Sequence, residues 1–493
     1  MTTPVTLPLK ELLAGTKILR TAGDPDILSV RLQPRQIADG TFFFKLRSSR
    51  GRASAADAIG RGAEYVVLEA GDEEETTLPP NVAYAIVDDV NRAYAYTCSR
   101  LFGEAHRQMT LIGIAGAKGK TTVCHLVDAA LRASGVRTGL ISSLVLRLPD
   151  SERPAPGWAS DPLSIHGFLA ALREQGGTHA VIELASLGVT DDRLLGLQFD
   201  ALAFTNGGDG DAHMPANRRL FTDSDFHKSS TTLCAFNSDD PAGRELASSS
   251  LGRVVTFGFG AADVAPEFYA TDPEGISMRL NGRDLRFPLI GRHNAANVLA
   301  AAAILSGVMP SEDAVVRLQS VRPLPGRLER LPASADVDVY LDQPYMPAAI
   351  EASLAAVREF ARSRRIVCVV GSAGGIDKRL RSLRARAAVN GSDLCILTTE
   401  DPRDEHPGSI MMDMLQGMRA VTPDRWKTIV HRPTAIAAAI REALPDGIVV
   451  IMGKRANGAE HRHGDRQIAT DVLDEIRSQS RTTTLAQPVA PAN

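Results

Sequence analysis

Aromatic residues make up only 5% of this 493-residue chain, and net charge is equally scarce, with 55 Lys and Arg against 58 Asp and Glu for a balance of −3. The first shortage argues against a stacking platform for single-stranded nucleic acid, and the second against a dominant polyanion-binding role. No run of about 18 apolar residues occurs, so no membrane span is expected. Cysteine is sparse as well: Cys98, Cys124, Cys234, Cys368 and Cys395 are odd in number, far apart and never in a CxxC pair. Neither a disulfide framework nor a cysteine zinc site is expected, and each thiol reads as a small buried side chain in a reducing compartment. The opening MTTPVTLPLKELLAG lacks the basic-then-apolar order of a secretory signal, which points to a cytoplasmic enzyme.

The composition that remains, 44% hydrophobic and 23% charged, is that of an ordinary globular chain. At roughly 150 residues per domain the length predicts about three domains. Short apolar runs alternate with helix-like stretches throughout. DILSVRL, GTFFFKL and AEYVVLEA read as strands in a first block; MTLIGIAG, HAVIELAS, DALAFTN and RVVTFGFG in a second; VDVYLDQ, RRIVCVVGS, SDLCILTTE and GIVVIMGK in a third. Such alternation predicts an α/β fold built on parallel sheets. The Pro- and Arg-rich stretch VRPLPGRLERLP marks the second boundary. The expected domains are 1–106, 107–323 and 324–478, and 479–493 reads as a disordered tail because it has no apolar period.

The strongest chemical signal is the turn after MTLIGIA. Gly116-Ala-Lys-Gly119-Lys120-Thr121-Thr122 has the compact GxxGKTT form, with a strand before it and the helix VCHLVDAALRASG after it. Glycines let backbone N–H groups turn inward on phosphates at a helix N-terminus. Lys120 would reach the β- and γ-phosphates, and the Thr121 hydroxyl would help hold Mg²⁺. This signal points to a nucleoside triphosphate and says nothing of a second substrate.

With this loop go IELAS and Arg193, FDALAFTN, NSDDPAGRELA, GRHNAANVLAAAAI, PGRLE, GGIDK, EDPRDEHP and IMGK, in that order. Together they resemble the Mur ligases, ATP-dependent amide-forming enzymes of peptidoglycan synthesis, and most of all the branch that adds the third amino acid of the stem peptide. The resemblance spans about residues 10–478. It implies a three-domain architecture, with a central phosphate-loop parallel sheet and a Rossmann-like C-terminal domain, whose parts bind in turn a nucleotide-sugar peptide, ATP and an incoming amino acid. It implies ATP and Mg²⁺ as cofactors, an acyl phosphate that the amine attacks, small-molecule donor and acceptor partners, and a monomer.

Residue by residue, the resemblance makes Lys120, Glu183, Lys228 and His213 the catalytic set, with Thr121, Glu183 and Lys228 around metal. Lys228 would occupy the place of a carbamylated lysine, or else be a plain surface lysine. Gly116, Gly119, Thr122, Asn206, His293 and Asn297 would meet the nucleotide, Arg327 its phosphate and Asp342 its ribose. Ser29, Arg31, Ser186 and Arg193 fall on the donor side. Arg381, Glu400, Asp401, Arg403, Gly453 and Glu460 fall on the acceptor side, where Arg403 would clamp a distal carboxylate through bidentate hydrogen bonds.

Several positions depart from the family pattern. In TNGGDGDAHMP the only imidazole is His213, so either it substitutes for a metal-ligand histidine or that ligand is missing. Ser29-Val30-Arg31 replaces Asp-Ser-Arg, Ser160-Asp161-Pro162 replaces Thr-Thr-Pro, and Ala185-Ser186-Leu187 replaces Ser-Ser-His. A buried partner left without its hydroxyl costs about 1–3 kcal/mol, so these changes point away from the usual UDP-muramoyl dipeptide donor. The expectation is a specialised ligase, for example of secondary metabolism. The peptidoglycan enzyme and a nucleotide-binding partner protein without turnover stand as alternatives.

Overall fold

Apolar runs bounded by glycine or polar turns become parallel strands in this chain, because a strand covered on both faces needs no polar alternation. The computed structural model describes residues 9–23, 29–31, 41–47, 54–72, 74, 78–80, 82–155, 161–208, 214–309, 313–332, 336–344, 346–418, 423–453 and 464–485. They fall into two compact units, Met1–Ala265 with Asn297–Ser320, and Pro266–Ala296 with Val321–Asn493.

The first unit holds two sheets. One has the spatial order Ile18–Ala22, Ala83–Val87, Ala63–Glu69, Thr41–Phe44 and Ser29–Arg31, parallel except for its first strand. The other runs Arg253–Phe257, Leu233–Asn237, Ala201–Phe204, Thr110–Ala115, His179–Glu183 and Thr138–Ile141 in parallel, and ends in the antiparallel hairpin Val145–Leu148 and Ser151–Pro154. Six of the chain's fifteen phenylalanines concentrate in the core of this larger sheet. Phe221 lies 4.7 Å from Phe236 and 6.4 Å from Phe204, ring centre to ring centre. Tilted and edge-on pairs of this kind add about 0.5–1.5 kcal/mol each beyond the area they bury.

The second unit is built on Glu329–Arg330, Val337–Asp342, Gly447–Met452, Ile366–Ser372, Leu394–Thr399 and Trp426–Thr428, parallel after the first pair. It also carries an antiparallel sheet, Phe268–Asp272, Gly275–Leu280 and Arg283–Phe287, where no strands were expected. Its exposed Arg279 and Arg286 interrupt the apolar signal, as a half-solvated antiparallel sheet allows. The expected disordered tail is corrected in part. Helix Gly464–Leu485 continues past Ile476 into residues 479–485, since extending a formed helix costs far less than nucleating one. Among the described residues no helix is long and apolar enough to cross a membrane. All five cysteines are buried and free, as expected.

Two buried histidines lie where helix Pro162–Glu174 meets the turn Ala105–Gln108. The rings of His106 and His166 are 5.6 Å apart in an edge-on contact, and His106 Nδ1 lies 3.5 Å from Ser99 Oγ. Burial, then the charges of Arg107 and Lys228, push His106 down to about 4; burial and His106 push His166 down to about 3. The unfolded chain would bind protons at both sites below about pH 6.5 while the folded chain would not. Their contribution is therefore complete above pH 6.5 and is lost as pH falls toward 3–4. Melting temperature should drop between pH 6.5 and 4.5 by the equivalent of about 2–5 kcal/mol, and a His106→Gln/His166→Phe variant should show a flatter profile by calorimetry.

Candidate active site

The phosphate loop leaves strand Thr110–Ala115 and enters helix Lys120–Ala133 at Gly119. Gly116 and Gly119 have φ of +117° and +83°. A side chain would also collide: a Cβ on Gly116 would sit 2.3 Å from Thr205 Oγ1, and one on Gly119 2.2 Å from Asn297 Oδ1. Glycine is thus required twice over, by conformation and by space.

The loop is clamped from the neighbouring strand end. Asn206 accepts from Lys118 N at 3.2 Å and donates to Lys118 O at 3.0 Å, and Thr205 Oγ1 donates to the same carbonyl at 2.6 Å. Asn237 Nδ2 donates to Thr205 O at 2.9 Å, and Gly207 N to Asp240 Oδ2 at 3.2 Å. Asn206 and Asn297, expected against the nucleotide, shape the loop that would receive it. Lys120 Nζ lies across the loop, donating to Gly116 O at 2.8 Å and Ala117 O at 3.3 Å. The first-turn N–H groups of the helix point the same way, as at any helix start.

Beside the loop, strand His179–Glu183 delivers a buried carboxylate. Thr121 Oγ1 donates to Glu183 at 3.0 and 3.1 Å, and Ser143 N donates to it at 2.7 Å. Ser143 Oγ is 3.0 Å from Thr121 Oγ1. Three side-chain oxygen groups therefore converge at the start of the helix. Mg²⁺ commonly takes one or two carboxylates and completes its shell with water and substrate phosphates, so this donor set fits it. Ser143 had no signal in the sequence beyond following an apolar run. Among the described residues no group of three or more His, Cys, Asp and Glu is arranged to hold a metal.

Lys228 does not join this site, and its expected place around metal is corrected. Its Nζ donates to Met109 O at 3.1 Å and pairs with Asp200 at 3.0 Å. Both partners precede strands whose other ends carry Gly116 and Asn206. A strand of six residues puts about 20 Å between those ends. Lys228 is a half-exposed ion-pair partner at the opposite end of these strands, and the isolated position of DFHKSS after its own short turn hid that from spacing alone. Replacing Lys228 by Met should leave the Mg²⁺ dependence and rate of ligation within about twofold, as for a surface ion pair, when assayed by phosphate release.

In the second unit the corresponding strand ends also gather side chains, as parallel sheets do. Asp342, expected on a ribose, is buried and used internally. It accepts from Leu328 N at 3.2 Å and from Ser353 Oγ, and burial raises its carboxyl although Ser353 and the Arg327 charge oppose the rise. Glu400 is likewise turned inward, accepting from Arg384 Nη2 at 3.1 Å, and a Cβ on Gly453 would come within 2.2 Å of its Oε1. Arg381 is fully buried, forked onto Glu405 at 2.7 and 2.8 Å and bonded to Asp413 at 2.8 Å. Glu400 and Arg381, expected to contact the acceptor, both have their polar ends engaged with side chains of their own unit. Asp401 and Arg403 remain exposed, with Arg403 N on Asp401 Oδ1 at 3.1 Å. Arg432, which the sequence did not single out, forks onto Asp465 at 2.7 and 2.8 Å and donates to Met452 O, tying helix Gly464–Leu485 to this edge.

The other expected residues lie on several elements of the two units. His293 is exposed near the start of helix Arg292–Val308, one turn before Asn297, and Arg327 is half-buried. Arg193 pairs with Asp191 at 3.0 Å just past the short helix that Ser186 opens. Ser29 and Arg31 lie on the edge strand of the first sheet. Thr122 is buried in the first turn of the loop helix. His213 and Glu460 lie outside the described residues. Asp161, the middle residue of the Ser160-Asp161-Pro162 that replaces Thr-Thr-Pro, caps helix Pro162–Glu174 through Ser164 N and accepts from Tyr94 OH at 3.0 Å.

A glycine-rich phosphate loop, a carboxylate on the next strand and a second unit with its own parallel sheet define a nucleotide-dependent α/β enzyme. The model of the Mur ligase middle domain matches residues 114–305, and that of the Mur ligase glutamate ligase domain matches 326–455. Over 487 residues the chain is 30% identical to UDP-N-acetylmuramoyl-L-alanyl-D-glutamate--2,6-diaminopimelate ligase of Halalkalibacterium halodurans, covering 96% of this chain and 97% of the relative. To the enzyme of the same name from Alkalilimnicola ehrlichii it is 31% identical over 474 residues, covering 90% and 93%. A solved structure under that name aligns at a TM-score of 0.66 and 23% identity, over 96% of this chain and 99% of that one. A Mycobacterium tuberculosis folylpolyglutamate synthase solved with ADP and AMPPCP aligns at 0.60 and 19% identity, over 81% and 96%. The chain belongs to the Mur ligase family and has its three-domain architecture. It is an ATP-dependent acid–amino-acid ligase.

Proposed function

We propose that this chain joins the γ- or α-carboxylate of a UDP-muramoyl dipeptide to the amino group of 2,6-diaminopimelate. The observation that carries the reading is similarity along almost the whole chain to enzymes named for that reaction, together with an exposed Arg403 beside Asp401. The expectation of a specialised secondary-metabolic ligase has less support, because relatives that match along almost the whole chain carry the name of the diaminopimelate ligase. The domain limits 1–106, 107–323 and 324–478 belong to this proposal, with the three parts serving donor, ATP and acceptor.

Thr121 and Glu183 would hold Mg²⁺, which supplies charge neutralisation on the phosphates. Lys120 and the first-turn N–H groups orient the triphosphate so that its terminal phosphoryl faces the donor carboxylate. The carboxylate oxygen takes that phosphoryl group, giving an acyl phosphate and ADP. An uncharged amine then attacks the acyl carbon and phosphate leaves. Arg403 would fix the distal carboxylate of the amino acid by a fork-to-fork pair and so orient its amine.

The test is to mix the protein with ATP, Mg²⁺, UDP-N-acetylmuramoyl-L-Ala-D-Glu and meso-diaminopimelate, following phosphate release and the tripeptide by mass spectrometry. Formation at about 1 s⁻¹ or faster is expected of an enzyme with its own substrates. ATP binding without tripeptide would turn the search to other carboxylates, and absence of ATP binding would overturn the ligase reading.

A further inference from the structure

Helix Lys378–Gly391 is basic, with Lys378, Arg379 and Arg386 exposed, yet Arg381 within it is 0% exposed. Its guanidinium joins two turns at the same edge of the sheet. On one side it donates to Ala373 O at 3.1 Å, in the turn that follows strand Ile366–Ser372. On the other it holds Glu405 by a two-pronged pair, in the turn that follows strand Leu394–Thr399. Glu405 Oε1 also accepts from Gly375 N at 2.7 Å, and Gly374 N donates to Asp401 O at 2.9 Å. Arg381 and the Gly375 N–H hold the Glu405 carboxyl down to about 2, so it is charged at any working pH.

Between these ties stands Arg403, whose φ is +50°. A left-handed arginine is strained and persists only where its surroundings impose it. Its guanidinium lies directly against Gly375, where an added Cβ would be 3.0 Å from Nη1. We infer that Arg381 and Glu405 form an internal strut, with Gly375 as its seat, that holds the turn 400–405 in the strained conformation presenting Arg403 to the acceptor's distal carboxylate. Both are positioning residues and neither touches substrate. The inference rests on the acceptor reading above, and extends it from the arginine that would recognise to the pair that aims it.

Two measurements on the full chain separate the strut from that reading. Amide hydrogen exchange in Glu405→Ala should quicken tenfold or more at residues 374–376 and 400–405, with the phosphate-loop unit unchanged. Glu405→Ala should raise the KM for meso-diaminopimelate at least tenfold with kcat within threefold. Added to Arg403→Ala, it should raise KM no further, because it acts through that arginine. Glu405→Gln, which keeps one hydrogen bond to Arg381, should recover part of both effects. If exchange quickens but the wild-type chain takes no such acceptor, the strut stands and the acceptor reading falls. Unchanged exchange in the two turns, or KM effects that multiply, would overturn the strut.

Discussion

Lys120→Ala is expected to lower ATP-dependent ligation by about 10²–10⁴-fold, the range in which positioned cations act on phosphoryl transfer. The ammonium is held across the loop by Gly116 O and Ala117 O, so it is already placed where phosphate oxygens would arrive. Those two bonds contribute only about 1 kcal/mol each to folding, which predicts a melting temperature nearly unchanged. Rate and stability should therefore separate cleanly. Phosphate release and product mass measure the first, and scanning calorimetry the second. Lys120→Arg should not restore the rate, because a planar fork cannot occupy the place of a compact ammonium between two loop carbonyls. ATP turnover that survives Lys120→Ala would favour a partner protein whose nucleotide serves only to hold it folded.

The phosphate loop was legible from sequence because its requirements are local. Two glycines, a lysine and a threonine at fixed spacing between a strand and a helix leave few alternatives, and the buried strands follow from continuous apolar runs such as TLIGIA and IVCVVG. Glu183 could be placed because a strand's last residue necessarily faces the end where the loop lies, in register with Ile114. Lys228 shows where such reasoning stops. Its position in the chain matches a catalytic lysine loosely, but the direction of entry into strand Leu233–Asn237 decides which end of the sheet it reaches. The acceptor side shows a different limit. Arg381, Arg384, Glu400 and Arg432 look alike as charged residues in a sequence, and only their three-dimensional pairing separates internal ties from the exposed Asp401 and Arg403. Those pairings span 16 to 33 residues, beyond any motif.

Glu183→Gln should prove nearly as damaging as the loss of Lys120, and for a reason that can be distinguished from it. The carboxylate accepts from the Thr121 hydroxyl and from Ser143 N, and both donors converge on oxygens that a cation would share. The amide keeps the shape but removes the charge and turns an NH₂ toward at least one of those donors. An unpaired buried donor costs about 1–3 kcal/mol, so the variant should melt lower, unlike Lys120→Ala. Its rate should fall about 10²–10³-fold, the effect of removing one preorganised charge-stabilising group. The decisive readout is the Mg²⁺ titration: half-saturation should move upward at least tenfold in Glu183→Gln and stay put in Lys228→Met. A lower rate at unchanged Mg²⁺ half-saturation would mean that Glu183 only braces Thr121 and Ser143. The metal would then have to be held by the nucleotide's phosphates and the Thr121 hydroxyl, with the strand-end carboxylate acting on the loop's shape alone.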